Sequence, residues 1–274
     1  MKKLLSLLIL TGTLFAQANN VFTLNPSVNS AGMGNVGIAH ADVKNVFHNP
    51  AFAGLKESHQ EVSYVDWLPN LTDDMGYQSI LVTSDMGWSS EIFYFNYGTQ
   101  IEADSGGIII GDFESSSYRV SGGYGFGIGD WLFGARLNLY NHNFIDSFDI
   151  DMNYGFDLGA YKEFGNTSVG IVLKDVGGET KFLDQELNLP MSVGIGVGQK
   201  LGNFTLASDV KLYEDYNSIG LGGQYDLGIA SLKLGYYTES EFDVDYITLG
   251  GSIDAGIVDL SLAYYYNTDS FHNE

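Results

Sequence analysis

The chain has 274 residues with 35 Gly, 18 Tyr and 17 Phe against 4 Pro, and it carries a formal charge of -22. The glycine and aromatic content is that of a β-rich chain. Without a single Cys, its stability rests on packing or on closure of a strand ladder rather than on disulfides. The acidic excess argues against DNA or RNA as partner, because such binding depends on Lys and Arg neutralising phosphates.

In chain order, "MKKLLSLLILTGTLFAQA" has two lysines, an apolar run from Leu4 to Leu10 and the small-x-small ending Ala16-Gln17-Ala18. This is a secretory signal peptide over residues 1–18, and cleavage there takes the charge to -24 by removing Lys2 and Lys3. No other apolar run approaches the roughly 20 residues of a transmembrane helix. Residues 19–58 form a segment of their own, glycine-punctuated and then helix-like.

From residue 61 onward thirteen segments read as strands: 61–68, 76–84, 87–99, 116–127, 130–142, 153–163, 166–174, 189–199, 203–212, 217–225, 228–237, 244–252 and 256–266. Most are near the ~9 to 11 residues of a tilted transmembrane strand. Where the alternation is clean it has period 2: Trp131, Phe133, Leu137 and Leu139 oppose Gly134, Arg136 and Asn138, and Leu232, Leu234 and Tyr236 oppose Ser231, Lys233 and Gly235. A soluble sandwich with apolar residues inside and a membrane barrel with apolar residues outside both produce this pattern.

The connections favour the barrel. Short ones at 84–87, 127–130, 165–166, 200–203, 226–228 and 254–256 interleave with longer ones at 69–75, 100–115, 143–152, 175–188 and 238–243, as periplasmic turns interleave with extracellular loops. The longer set carries acid: Asp104, Asp112, Glu114, Asp146, Asp149, Asp151, Asp175, Glu179, Asp184, Glu186, Glu239, Glu241 and Asp243. The fold class is therefore an all-β transmembrane antiparallel barrel of about 13–14 strands over residues 59–274, in a bacterial outer membrane and in contact with its lipid. An odd count leaves one strand wanting, since single-chain bacterial barrels are usually even.

The stretch "AGMGNVGIAHADVKNVFHNPAFAG" resembles the N-terminal signature of the PorV/PorQ family of FadL-like outer-membrane barrels: a Gly-Met-Gly turn (Gly32, Met33, Gly34), then Asp42, then Asn49-Pro50. The likeness continues in "VDWLPNLTDDMGYQSI", "FNYGTQIEADSGGIIIGDFESSSYRVSGGYGFG" and "VGIVLKDVGGETKFLDQELNLPMSVGIGVGQKL" and spans residues 22–266. It implies a fourteen-stranded barrel with residues 19–58 as a lumen plug. Its glycines allow close backbone approach, and Asn49-Pro50 is expected to end a short helix. The missing strand is either beyond the sequence or supplied by Asn35–Ala41 completing the wall.

Other motifs carry less. "GGYGFGIGDW" and "GIGVG" do not open a helix after a strand, so a nucleotide site is rejected in favour of packing in a curved sheet. "DIDMNYG" fails as a calcium loop because its Gly comes one position late and Ala160 stands where the bidentate acid belongs. His40, His48, His59, His142 and His272 show no metal spacing. No nucleophile elbow is present, so no metal, cofactor or catalytic residue is assigned and the chain is read as non-enzymatic.

The only arginines, Arg119 and Arg136, fall on the non-apolar face with Asp157, and Arg136 is expected to pair with Asp157. Asp209, Lys211, Lys233 and Asp259 join them in one expected lumen charge cluster that fixes the plug, with a substrate or gating role as the alternative. The resemblance implies an accessory role in type IX-like protein secretion or surface assembly, with secreted proteins or secretion machinery as partners. The alternative is FadL-like uptake of hydrophobic small molecules. A lumen that reads as glycine-rich and charged leans toward the first, because hydrophobic sites are mostly apolar.

Overall fold

The computed structural model describes residues 19–67, 74–103, 107–143, 152–177, 179–182, 185–240, 244–256 and 258–268. The expected signal peptide and the acids at 104, 146, 149, 151, 184, 241 and 243 lie outside them.

Thirteen strands form one antiparallel sheet in chain order: β1 (His59–Asp66), β2 (Gly76–Thr83), β3 (Trp88–Ala103), β4 (Ile109–Ile128), β5 (Trp131–Asn143), β6 (Asn153–Phe164), β7 (Thr167–Gly177), β10 (Ser192–Leu201), β11 (Phe204–Tyr213), β12 (Asn217–Asp226), β13 (Ala230–Glu239), β14 (Val244–Asp254) and β15 (Asp259–Asn267). A separate hairpin, β8 (Glu179–Phe182) with β9 (Gln185–Asn188), lies in the long β7–β10 connection that the sequence pattern leaves as loop. At the short-turn end Gly129, Gly165 and Gly202 take positive φ, which is the conformation tight hairpins demand. The β3–β4 hairpin runs further than expected, pairing from Trp88–Tyr124 to Ala103–Ile109 across two register shifts, so most of 100–115 is strand. Its β-branched run Ile108-Ile109-Ile110 explains the extension.

Burial decides between sandwich and barrel. The apolar face is the exposed one: Ile92, Val120, Leu137, Ile171, Ile195 and Leu234 stand outside, while Ser79, Ser117, Arg119, Asn138, Asp157 and Asp209 are buried. Exposed aromatics gather toward the short-turn end (Trp88, Tyr124, Phe126, Trp131, Phe204) and toward the loop end (Tyr64, Tyr94, Tyr154, Tyr264, Tyr266). Two aromatic girdles around an apolar band are what a bilayer requires of a barrel exterior, and every spanning backbone group then needs a partner within the ladder.

Alternating direction makes β1 and β15 run the same way, and the described ladder ends at these two strands. Both edges converge on the N-terminal segment. Ser63 Oγ of β1 donates to Pro26 O at 2.7 Å, Tyr265 of β15 donates to Asn35 Oδ1 at 2.8 Å, and Lys44 Nζ lies 3.0 Å from Asp259 Oδ2 at the start of β15. The N-terminal segment does not complete the wall. Residues 35–41 are turns and bends inside the lumen, and the segment's regular elements are a short helix α1 (Val28–Ala31) and 3-10 turns at Asn19–Thr23, Val43–Asn45 and Pro50–Leu55.

Candidate functional site in the lumen

The plug runs along a track of inward-facing glycines. A Cβ on Gly250 of β14 would sit 2.7 Å from Gly32 Cα. One on Gly235, Gly222, Gly170, Gly134 or Gly125 would land on plug backbone at Gly34, Met33, Ile38, Pro50 and Gly54 respectively. The motifs "GIGVG" and "GGYGFG" thus belong to this contact and not only to sheet curvature: Gly194 and Gly196 face Ile38, Gly198 faces Ala39, and Gly125 faces Gly54. Of the signature residues, Gly34 has φ +69° and donates its N–H to Thr248 Oγ1 at 2.8 Å, and Met33 is fully buried with Val36 and Ala207.

Asp42 Oδ1 accepts from Lys44 N at 2.8 Å and caps the 43–45 turn. Asn49-Pro50 opens a helical turn where the sequence pattern has it closing one. Asn49 is the extended N-cap, its Oδ1 accepts from Ala51 N at 3.0 Å, and Pro50 starts the 3-10 turn. An Asn cap followed by Pro at the first helical position leaves no orphan donor there, and this outweighs the stop signal. The Asn49 amide also donates to Ile38 O (2.9 Å) and to Ala160 O of β6 (3.2 Å), joining plug to wall.

The charged residues do not form one cluster. Glu91 of β3, which the alternation pattern left unassigned, sits between the two arginines, with Arg119 Nη2 on Oε1 at 2.9 Å and Arg136 Nη2 on Oε2 at 2.5 Å. All three are buried. Arg136 therefore pairs with Glu91 and not with Asp157. Asp157 is its ladder neighbour, but its Oδ1 accepts from Asp175 N at 2.8 Å where the β6–β7 register slips. Asp175, expected in a loop, is buried in β7 and accepts from Tyr140 OH.

Asp209 stands apart and holds the plug: its Oδ2 accepts from Gly37 N at 2.7 Å and Ile38 N at 2.9 Å. Lys211 is next to it in β11 on the same lumen face. Lys233 donates to Asn29 of α1. Asp259 is half-exposed and bonds Lys44, away from the arginines. The plug's Phe47 ring lies under three cations, with Lys174 Nζ 3.5 Å, Arg119 4.7 Å and Arg136 5.9 Å from its centroid. Such contacts are worth ~2 kcal/mol or more when desolvated. The charged residues contact the N-terminal segment at separate points along its length, Asp209 at Gly37 and Ile38, Arg119 at Phe22, Lys233 at Asn29 and Asp259 at Lys44.

Toward the loop end an aromatic cluster lines the lumen beside buried polar groups such as Ser117 and His142. Tyr77 of β2, Phe93 and Phe95 of β3, Tyr140 of β5 and Leu189 surround Val21 and Phe22, with Leu24, Val65, Trp67, Met75 and Tyr97 packed against them. Trp67 and Tyr77 have ring centroids 6.0 Å apart. The sequence pattern missed this cluster because "EIFYFNYG" is aromatic on both faces, with Tyr94 outside and Phe93 and Phe95 inside. Below it a cavity between Phe47, Glu61 and Glu91 measures about 10 Å³, the size of one water.

His48 sits at the centre of the plug. Its Nε2 contacts Ser30 Oγ at 2.9 Å and Asn25 Oδ1 at 3.1 Å. Burial first, and the nearby Lys211 and Lys174 second, hold its pKa well below the ordinary imidazole value. A depressed folded-state pKa gives stability that is complete above the unfolded value of ~6.5 and is lost as pH falls below it, because the released plug takes up the proton. Proteolysis within the plug is thus expected to accelerate from pH 7 to pH 5 in the wild type, with the pH dependence flattened in His48→Gln. A wild-type rate that does not change with pH would contradict this reading.

Compared by sequence, the chain matches no family model and no curated protein. Compared by structure, it is similar to the toluene transporter TbuX of Ralstonia pickettii (TM-score 0.58, 14% identity, 89% of this chain and 93% of that one). It is also similar to the toluene transporter TodX of P. putida (0.57, 13%, 85% and 90%) and to a TodX deltaS2S3 mutant described as a monoaromatic hydrocarbon channel (0.59, 13%, 87% and 92%). At such identities the likeness is one of fold. The chain shares the antiparallel β-barrel fold of these structures, as the resemblance leads one to expect, and the likeness does not show a PorV/PorQ branch.

Proposed function

We propose that the chain is an outer-membrane channel for hydrophobic small molecules, non-enzymatic, with the N-terminal segment as its closed gate. The observation that carries this reading is the aromatic cluster of Tyr77, Phe93, Phe95 and Tyr140 inside the loop end of the lumen, packed on Val21 and Phe22 of the N-terminal segment. Small-molecule sites are lined mostly by apolar and aromatic side chains with a few convergent polar groups, and this cluster supplies the apolar lining that the charged, glycine-rich impression of the sequence lacked. The molecules carried by the structurally similar channels, toluene and monoaromatic hydrocarbons, support the same substrate class. A secretion-accessory role retains only its resemblance-based support and ranks second.

The three tryptophans permit a direct test. Trp88 and Trp131 are exposed on the barrel exterior, whereas Trp67 packs on the aromatic cluster. In the variant Trp88→Phe/Trp131→Phe, toluene added to protein in nanodiscs is expected to change Trp67 emission saturably, and Phe93→Ser is expected to abolish the saturable part. A linear response identical in both would mean that toluene only partitions into lipid, and the channel reading would fall.

A further inference from the structure

The loop-end cluster already holds a ligand-like group, which is the chain's own Phe22. Its ring centroid lies 4.8 Å from Tyr140 and 4.9 Å from His142 in tilted contact, and 6.5 Å from Phe93 edge-on. Its main-chain carbonyl oxygen accepts from Arg119 Nη1 at 2.7 Å. Both halves of this residue are therefore recognised, the ring by aromatics and the oxygen by a buried guanidinium whose other terminal nitrogen is committed to Glu91.

We infer that the site selects molecules with one aromatic ring and, on a short linker, a neutral oxygen acceptor that replaces the Phe22 carbonyl on Arg119, and that Phe22 is the internal competitor such a molecule displaces. The inference rests on the channel reading and narrows its substrate class. The physical reason is the cost of an orphaned donor. When Phe22 leaves, Arg119 Nη1 loses its partner in a buried site, and a pure hydrocarbon cannot restore it, whereas an acceptor-bearing molecule can. Arg119 Nε is already without a partner among the described residues, so the guanidinium has no spare bond to offset the loss. A neutral acceptor suffices, because the bond to be replaced is that of a neutral main-chain carbonyl.

The linker length follows from the covalent structure of Phe22: two carbons separate its ring from the carbonyl carbon. 3-Phenylpropanamide reproduces ring, linker and acceptor, and butylbenzene reproduces the shape without the acceptor. Binding of both is measured by Trp67 emission in nanodiscs, with each affinity corrected for partition into empty nanodiscs. In the wild type, 3-phenylpropanamide is expected to bind about 10-fold to 100-fold tighter than butylbenzene, the range set by a hydrogen bond to a charged group. Phe22→Ala removes the competing ring while leaving the main-chain carbonyl in place, and is expected to tighten both. Arg119→Met is expected to erase the difference between them, and Arg119→Lys to restore part of it; heat-modifiable migration on gels reports that each variant is folded.

If butylbenzene binds saturably and 3-phenylpropanamide binds no tighter, the acceptor inference is overturned while the channel reading stands. If neither binds saturably, both fall. A difference that persists in folded Arg119→Met would also overturn the inference, since another group would then be recognising the oxygen.

Discussion

Glu91→Ala is expected to lower the stability of the folded barrel by about 3 to 5 kcal/mol, the cost of leaving buried charge without its partner. One carboxylate serves two guanidiniums at 2.9 and 2.5 Å, so its removal strands Arg119 and Arg136 together. Arg136→Ala costs less, because Glu91 then keeps Arg119, and Arg136→Ala introduced into Glu91→Ala recovers part of the loss. Urea unfolding of the two single variants and the double variant in liposomes measures the coupling. Additive losses would mean that Glu91 and Arg136 do not meet, and the β3–β5 lumen geometry would be wrong. The corresponding cycle on Arg136 and Asp157, which the alternation pattern singles out, is expected to show weaker coupling, because the Asp157 carboxylate is engaged with Asp175 N.

Gly134→Leu is expected to expel the plug. A Cβ there lands on Pro50 C and O and Ala51 N, all backbone atoms that cannot rotate away as a flexible side chain does. Overpacking of side chains against one another costs about 1 to 3 kcal/mol, and a clash with backbone belongs at or above the top of that range. The predicted result is a barrel that remains heat-modifiable but conducts ions in planar bilayers and is cut by protease within residues 32–55. Gly122→Leu, on the exterior face of the adjacent strand with nothing within 4 Å, is expected to do neither. Equal conductance of the two variants, or a Gly134→Leu barrel as closed as the wild type, would show that the wall glycines are not there to admit the plug.

The amino-acid sequence by itself determined the wall. Each of the thirteen sheet strands overlaps a segment legible from period-2 alternation, because side-chain period and hairpin turns are properties of a few neighbouring residues. The same locality made the order of the sheet readable, since consecutive strands joined by short turns pair with each other. What alternation cannot carry is the sign of the faces, because a barrel and a sandwich share the pattern; here the exposed Leu137 and buried Arg136 decided it.

Only the tertiary structure decided the lumen. Gly37 meets Asp209 across 172 residues, Arg119 meets Phe22 across 97, and Arg136 meets Glu91 across 45. Such pairs are set by how the curved sheet wraps its plug, and no local period encodes them. Asn49-Pro50 shows the same limit at short range. Its dipeptide is compatible with ending or starting a helical turn, and the choice fell to the bonds that Asn49 makes with Ile38 and Ala160 once the plug lies against β6. The glycines of the wall could be counted in the sequence, but their purpose was visible only when plug backbone lay where their side chains would have been.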